Sequence, residues 1–321
     1  MSTTPQLSIP PEDEPIGHAR HARTLARFST AWTTGSAVAT ALFAWMVTAG
    51  TWDPLRRERI NSNFYDAQAR AFLDGRLDLA PEILNIEGFT RAGKTYMYFP
   101  PLPALFRLPF VAVTDSLDGR LTGAFLLVAF VVAMAASGVL VWRLRGVVRG
   151  TERLGGMEGV AIGLFALAVG VSTPLFFASS RAWVYHEAAL WGVAFALCAY
   201  DQIIAFLRRP SGARLARAGA FAGAALLSRP TVGAGPLVAL TLVSVGVAVS
   251  RWERPRQIGG WFGIPEQLGR GRRWLGGLVS AVAVPAAISV AVNYAKFRTP
   301  FNVPYDRQAQ NQFDAYRRQV L

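Results

Sequence analysis

The chain has 321 residues, 52% of them hydrophobic and only 17% charged, and the apolar residues gather into long blocks instead of recurring at helical or strand spacing. Blocks of that length belong in lipid, which argues against a soluble globular domain. The formal charge of +13 rests mostly on arginines in short clusters between apolar blocks, the pattern that orients a membrane protein and not the basic face of a nucleic-acid binder.

The first 27 residues are polar, with Pro10, Pro11 and the acidic trio Glu12, Asp13 and Glu14 ahead of Arg20, Arg23 and Arg27. They read as a disordered cytoplasmic tail. The block from Phe28 to Gly50 is longer than a signal-peptide core and lacks a small-residue cleavage site before Trp52, so it reads as a retained first span. Thr51 to Gly119 is the one sizeable extramembrane element. Further apolar blocks follow at Leu121–Trp142, Val160–Ala178, Trp183–Leu207, Leu215–Leu227, Val232–Val249 and Trp274–Val292, and a polar segment runs from Asn293 to Leu321. The expected fold class is therefore all-α, a polytopic bundle of about seven crossings.

With a cytoplasmic N-terminus, the inner loops hold Arg143, Arg145, Arg149 and Arg153, then Arg208, Arg209, Arg214 and Arg217, then six more arginines between Arg251 and Arg273. The short outer loop near Ala182 holds only Arg181. The asymmetry puts Thr51–Gly119 outside the cell membrane. Leu215–Leu227 is short, about 20 Å as a helix, and Pro230 separates it from the next block. Two short passes meeting at an outer Ser228-Arg229-Pro230 corner keep the arginine-rich loop inside.

Within the outer loop, Asn63–Leu73 reads as an amphipathic helix lying on the membrane surface, with Asn63 as cap, Asp66 in its first turn and Gly75 past its end. Phe64, Ala67, Ala71 and Phe72 share one face. Tyr96-Met97-Tyr98-Phe99-Pro100-Pro101 supplies interfacial aromatics, after which Leu102–Val113 dips into the interface.

Gly88, Gly93, Lys94 and Thr95 match the P-loop pattern, but that pattern works only where its last residues open a helix. Here Pro100 and Pro101 follow, so the segment reads as a surface turn with no nucleotide. Cys198, the single cysteine, sits in an apolar block and supports neither a disulfide framework nor a cysteine-based metal site. The ionisable groups at the outer ends of spans are better candidates: Arg181, His186 and Glu187 around the start of one helix, and Arg229 at the corner. A guanidinium beside a helix break suits a phosphate headgroup. For His186 the plainer reading is a headgroup-level anchor. For Asp66 it is a helix-start carboxylate satisfying free backbone donors.

These features together resemble the GT-C superfamily of membrane glycosyltransferases, which use polyprenyl-phosphate sugars and include protein mannosyltransferases and lipid A aminoarabinose transferases. The resemblance covers the chain from Phe28 onward. It rests on Asn63-Phe64-Tyr65-Asp66, Gly75-Arg76-Leu77, Tyr96 to Pro103, Val184-Tyr185-His186-Glu187, Ser228-Arg229-Pro230-Thr231 and Asn293 to Phe297. It implies an inverting transfer of a sugar from a polyprenyl-phosphate donor to an envelope glycan, lipid or protein at the outer face of the plasma membrane. Asp66 is then the general base, Arg229 holds the lipid phosphate, and Glu187, His186, Arg181 and Tyr98 line the substrate site. Some relatives recruit a divalent ion, for which the sequence offers only His186 and Glu187. Relatives carry more spans and a C-terminal extramembrane part, so the resemblance implies a truncated member, a fragment, or a protein that has lost activity. The competing readings are a transporter, lipid flippase or assembly subunit, and an acyltransferase centred on His186.

Overall fold

The structure is a computed structural model describing residues 14–57, 62–150, 152–249 and 272–311. It is mostly helical. The long helices are α1 (Glu14–Val47), α6 (Leu121–Val148), α7 (Gly156–Val171), α9 (Val184–Arg208), α10 (Gly212–Leu226), α11 (Pro230–Val249) and α12 (Arg272–Phe297). Among the described residues four segments are long and apolar enough to cross a membrane: Leu121–Val148, Val184–Arg208, Pro230–Val249 and Trp274–Phe297. Between α1 and α6 lie the short helices α2 (Phe64–Leu73), α3 (Pro81–Leu84), α4 (Leu102–Leu105) and α5 (Leu108–Val111), and a hairpin of β1 (Phe89–Arg91) and β2 (Lys94–Tyr96). A single-turn helix, α8 (Pro174–Phe177), follows α7.

Contacts along the helices fix their directions. Phe28 meets Trp142 and Phe43 meets Phe130, so α1 and α6 run antiparallel. Gly35 lies against Gly163 and Ala39 against Gly170, so α7 runs parallel to α1. Gly192 touches Val232 and Gly235 approaches Tyr200, which makes α11 parallel to α9. Helix α10 abuts α12 in a regular register, Leu215 with Gly277, Gly219 with Ala281 and Gly223 with Pro285. Small residues four apart let two backbones approach this closely. Successive long helices therefore alternate in direction.

Several local expectations changed. The segment expected to be a disordered tail is helical from Glu14, because its polar residues continue the turn pattern of the apolar helix behind them. Residues 1–13, most of the arginine-rich stretch after Val249, and 312–321 lie outside the described residues. The Val160–Ala178 block is broken at Ser172, where Thr173 accepts a hydrogen bond from the Leu175 N–H and Pro174 starts a new turn. The corner at Ser228-Arg229-Pro230 does separate two helices, α10 and α11. The P-loop match folds as the β1–β2 hairpin, with Ala92 and Gly93 both at positive φ in its turn, and not as a loop opening a helix.

The sharpest correction concerns α2. Its Asn63 makes no side-chain cap, and Phe64, Tyr65, Asp66, Gln68, Ala69 and Ala71 are all buried. It is packed by α3, α4, α5 and the Met97–Phe99 segment on more than the one face that the sequence pattern gives it.

Candidate functional site

Two buried polar features sit at the end of the bundle where α6, α9 and α11 begin. The first is centred on Arg107, between α4 and α5 in an otherwise apolar run. Its Nε lies 2.8 Å from Asp66 Oδ1, and its Nη2 lies 2.6 Å from Glu187 Oε2 and donates to Thr122 Oγ1 at 3.0 Å. The Thr122 hydroxyl in turn donates to the Ser62 carbonyl. Asp66 Oδ2 accepts the Gly119 N–H at 2.7 Å. Arg107 and Glu187 are fully buried and Asp66 is 1% exposed.

Neutralisation is incomplete, since two carboxylates face one guanidinium. The Arg107–Asp66 contact is an ion pair whose N–H does not point along it. Arg107 Nη1, Glu187 Oε1 and Tyr65 Oη have no hydrogen-bond partner among the described residues. Burial pushes the Asp66 carboxyl above its ordinary value, against the pull of Arg107 and of the Gly119 and Leu121 N–H groups. The Tyr65 and Phe125 rings cover the guanidinium at 5.1 and 5.0 Å. An isolated buried arginine would be prohibitively costly, so the cluster ties the loop (α2, α5) to α6 and α9.

The second feature is a cavity of about 470 Å³ lined by Tyr98, Arg229, Asn293, Lys296 and Tyr305, with apolar walls from Leu226, Leu237 and Val290. The α10–α11 break presents Arg229, whose guanidinium lies 5.6 Å from the Phe99 ring. Lys296 comes from the last turn of α12 and is 1% exposed. Its Nζ donates to the Met97 and Phe99 carbonyls at 3.0 and 2.7 Å. An ammonium carries three donors, so one remains for the cavity side. Among the described residues no carboxylate pairs with Arg229 or Lys296, and none lines this cavity. Burial raises the Tyr98 hydroxyl above its usual range, with Arg229 beside it pulling the other way.

A third concavity, about 630 Å³, opens on the other side of α2, with Asp66 in its lining beside Arg57, Arg70, Arg76 and Asp118. Arg70 is held by Asp115 and Asp118.

The sequence-derived candidates thus divide. Asp66 and Glu187 meet through Arg107. Arg229 and Tyr98 meet in the cation cavity, which does not include Asp66 in its lining. Burial pushes the Tyr65 hydroxyl well above its usual range, with Glu187 acting the same way and Arg107 and Arg229 pulling against it. His186 and Arg181 line neither space: the His186 Nδ1 contacts the Arg181 carbonyl at 2.8 Å, its ring stands against Phe177 and Trp183, and exposed Arg181 lies over Trp183. No three His, Cys, Asp or Glu side chains among the described residues come together as a metal site requires.

Arg107 and Lys296 were not singled out in the sequence. A lone arginine in the apolar run Leu102–Val113 is itself a signal, because such a charge needs a buried partner. Lys296 gave the same signal at the end of an apolar helix. The chain matches no family model, no curated protein and no solved structure.

Proposed function

We propose that this chain is a seven-pass membrane protein that takes the phosphate of a polyprenyl-phosphate-linked sugar between Arg229 and Lys296, and that it transfers that sugar to an envelope acceptor. The observation that carries the reading is two basic side chains, Arg229 and Lys296, without a carboxylate partner among the described residues, in one cavity with apolar walls. Such a cavity suits a phosphate joined to a hydrocarbon. The alternating helix directions support seven crossings, with α1, α7 and α10 crossing alongside the four longer apolar segments. A cytoplasmic N-terminus in the plasma membrane then puts the loop domain and both polar features outside.

In the transfer, the acceptor oxygen attacks the anomeric carbon, the bond to the phosphate oxygen breaks, and the proton passes to a base. Arg229 and Lys296 stabilise the charge that grows on the departing phosphate. Asp66, the base that the resemblance implies, is buried against Arg107 and does not line the cation cavity, so in this reading Arg107 must release it toward the acceptor before it takes the proton. Glu187 acts through Arg107 to hold that carboxylate in place.

One observation favours a second reading, a transporter, flippase or assembly subunit that handles the lipid without chemistry. Asp66 is already engaged by Arg107 and Gly119, and the cation cavity has no carboxylate in its lining. Reconstitution with polyprenyl-phosphate sugars separates the two. Turnover that is lost in Asp66→Asn supports the transferase, turnover unchanged in that variant removes Asp66 from the mechanism, and lipid binding without turnover of any donor supports the second reading.

A further inference from the structure

Beyond α12 the chain runs along the cavity that holds Arg229 and Lys296 as a strap, residues 298–309. Asn293, near the end of α12, donates through Nδ2 to the Thr299 and Asn302 carbonyls at 2.8 and 3.1 Å and fixes the start of the strap. Its far end pairs with the hairpin: Gln308 forms an antiparallel bridge with Phe89, and the Ala309 N–H donates to the Gly88 carbonyl at 2.9 Å. Between these anchors Val303 packs against Phe89, Tyr96 and Phe297, and the Tyr305 ring stands edge-on to Phe89 at 5.7 Å. Pro300, Phe301, Val303 and Tyr305 line the cavity. The strap is thus held at both ends while two of its rings stay open, Tyr305 at 58% exposure and Phe301 at 82%.

We propose that the strap is the wall that selects the donor's sugar, with Tyr305 and Phe301 as stacking faces for an uncharged sugar and no place for an amino sugar. This rests on the head-group reading above. The sugar is joined to a phosphate oxygen through its anomeric carbon, so it must lie beside the phosphate, in the cavity that both rings line. A sugar ring has an apolar C–H face and a rim of hydroxyls. A tyrosine ring meets that face with a rigid surface at little cost in side-chain freedom, and the Tyr98 and Tyr305 hydroxyls are partners for the rim. Charge decides which sugar fits. Arg229 is always a cation, and among the described residues no carboxylate lines the cavity. Of the acidic groups flanking the strap, Asp306 pairs with Arg307 at 3.8 Å and Glu87 accepts from Gln308 Nε2 at 3.4 Å, and neither is in the lining. An ammonium on the sugar would therefore face Arg229 without a counter-ion, and an exposed ring returns it only a weak cation–π contact.

The test is a titration of the full-length detergent-solubilised protein, read by native mass spectrometry, with undecaprenyl phosphate, its mannose, glucuronic acid and aminoarabinose esters, and uncharged undecaprenol. The mannosyl lipid is expected to bind at least about tenfold more tightly than the aminoarabinosyl lipid, because like charges repel across one cavity. Tyr305→Ala and Phe301→Ala should each lower mannosyl binding relative to bare undecaprenyl phosphate by about threefold to tenfold, the worth of one aromatic face. Tyr305→Phe keeps the ring and should keep the ratio. Both positions are exposed, and a thermal unfolding curve identifies each variant that folds. A ratio unchanged in both alanine variants, or a Tyr305→Phe loss as large as that of Tyr305→Ala, overturns the stacking faces and leaves the head-group reading intact. Aminoarabinosyl or glucuronosyl lipid binding as tightly as the mannosyl lipid overturns the uncharged-sugar assignment, again without touching the phosphate. Undecaprenol binding as tightly as undecaprenyl phosphate overturns the head-group reading itself.

Discussion

Arg107 and Asp66 meet at 2.8 Å with neither side chain open to solvent, and Glu187 shares the same guanidinium through its Nη2. The cluster carries one carboxylate more than it can neutralise. Its three members therefore respond differently to substitution.

Arg107→Met removes the only cation and leaves two buried carboxylates, which should cost about 3–5 kcal/mol of stability. Asp66→Asn leaves a one-to-one pair of Arg107 with Glu187 and keeps an oxygen for the Gly119 N–H. It should cost far less. Thermal unfolding in detergent checks the order; comparable losses in both variants contradict the excess-charge picture.

The same excess predicts a pH dependence. The folded Asp66 carboxyl lies above its unfolded value, so between those two values the folded state binds more protons. Its contribution to stability is thus present below the ordinary aspartate range and is lost as pH rises through the folded value. Unfolding free energies measured across the acid range should carry that slope in the wild type and lack it in Asp66→Asn.

Gly233 offers a test of the corner that presents Arg229. A Cβ there would fall 2.2 Å from the Leu226 N and 2.3 Å from its Cα, both backbone atoms that cannot swing aside. Gly233→Ala should destabilise the protein by about 1–3 kcal/mol, as overpacking does, and weaken lipid phosphate binding by displacing the corner. Full binding in the folded variant would show that the corner need not hold its present shape.

His186 stands against Phe177 and Trp183, contacts the Arg181 carbonyl and lines neither polar space, so His186→Ala should change stability by no more than about 0.5 kcal/mol and leave transfer intact. A loss of transfer in that variant would revive the histidine-centred acyltransferase.

The long helices were legible in the sequence because lipid-length apolar blocks have few alternatives, and the break at Pro230 because proline cannot continue the helix before it. The loop domain was not. Period-based reading gave α2 a surface face, since it sees only the helix's own side chains and not α3, α4 and α5 folding over it. Asp66 appeared as a capping carboxylate for the same reason: its real partner, Arg107, is distant in sequence. Arg229 and Tyr98 were assigned to one substrate site and share a cavity, while Asp66 and Arg229, also assigned to one site, line different spaces.

The central claim is that Arg229 grips a lipid phosphate. Crosslinking of a photoreactive polyprenyl phosphate to the protein in vesicles, wild type against Arg229→Met, measures this directly. A guanidinium–phosphate bond contributes about 1.5–3 kcal/mol, so the variant should need at least about tenfold more lipid for half-maximal crosslinking. Identical curves for the two proteins would contradict the claim.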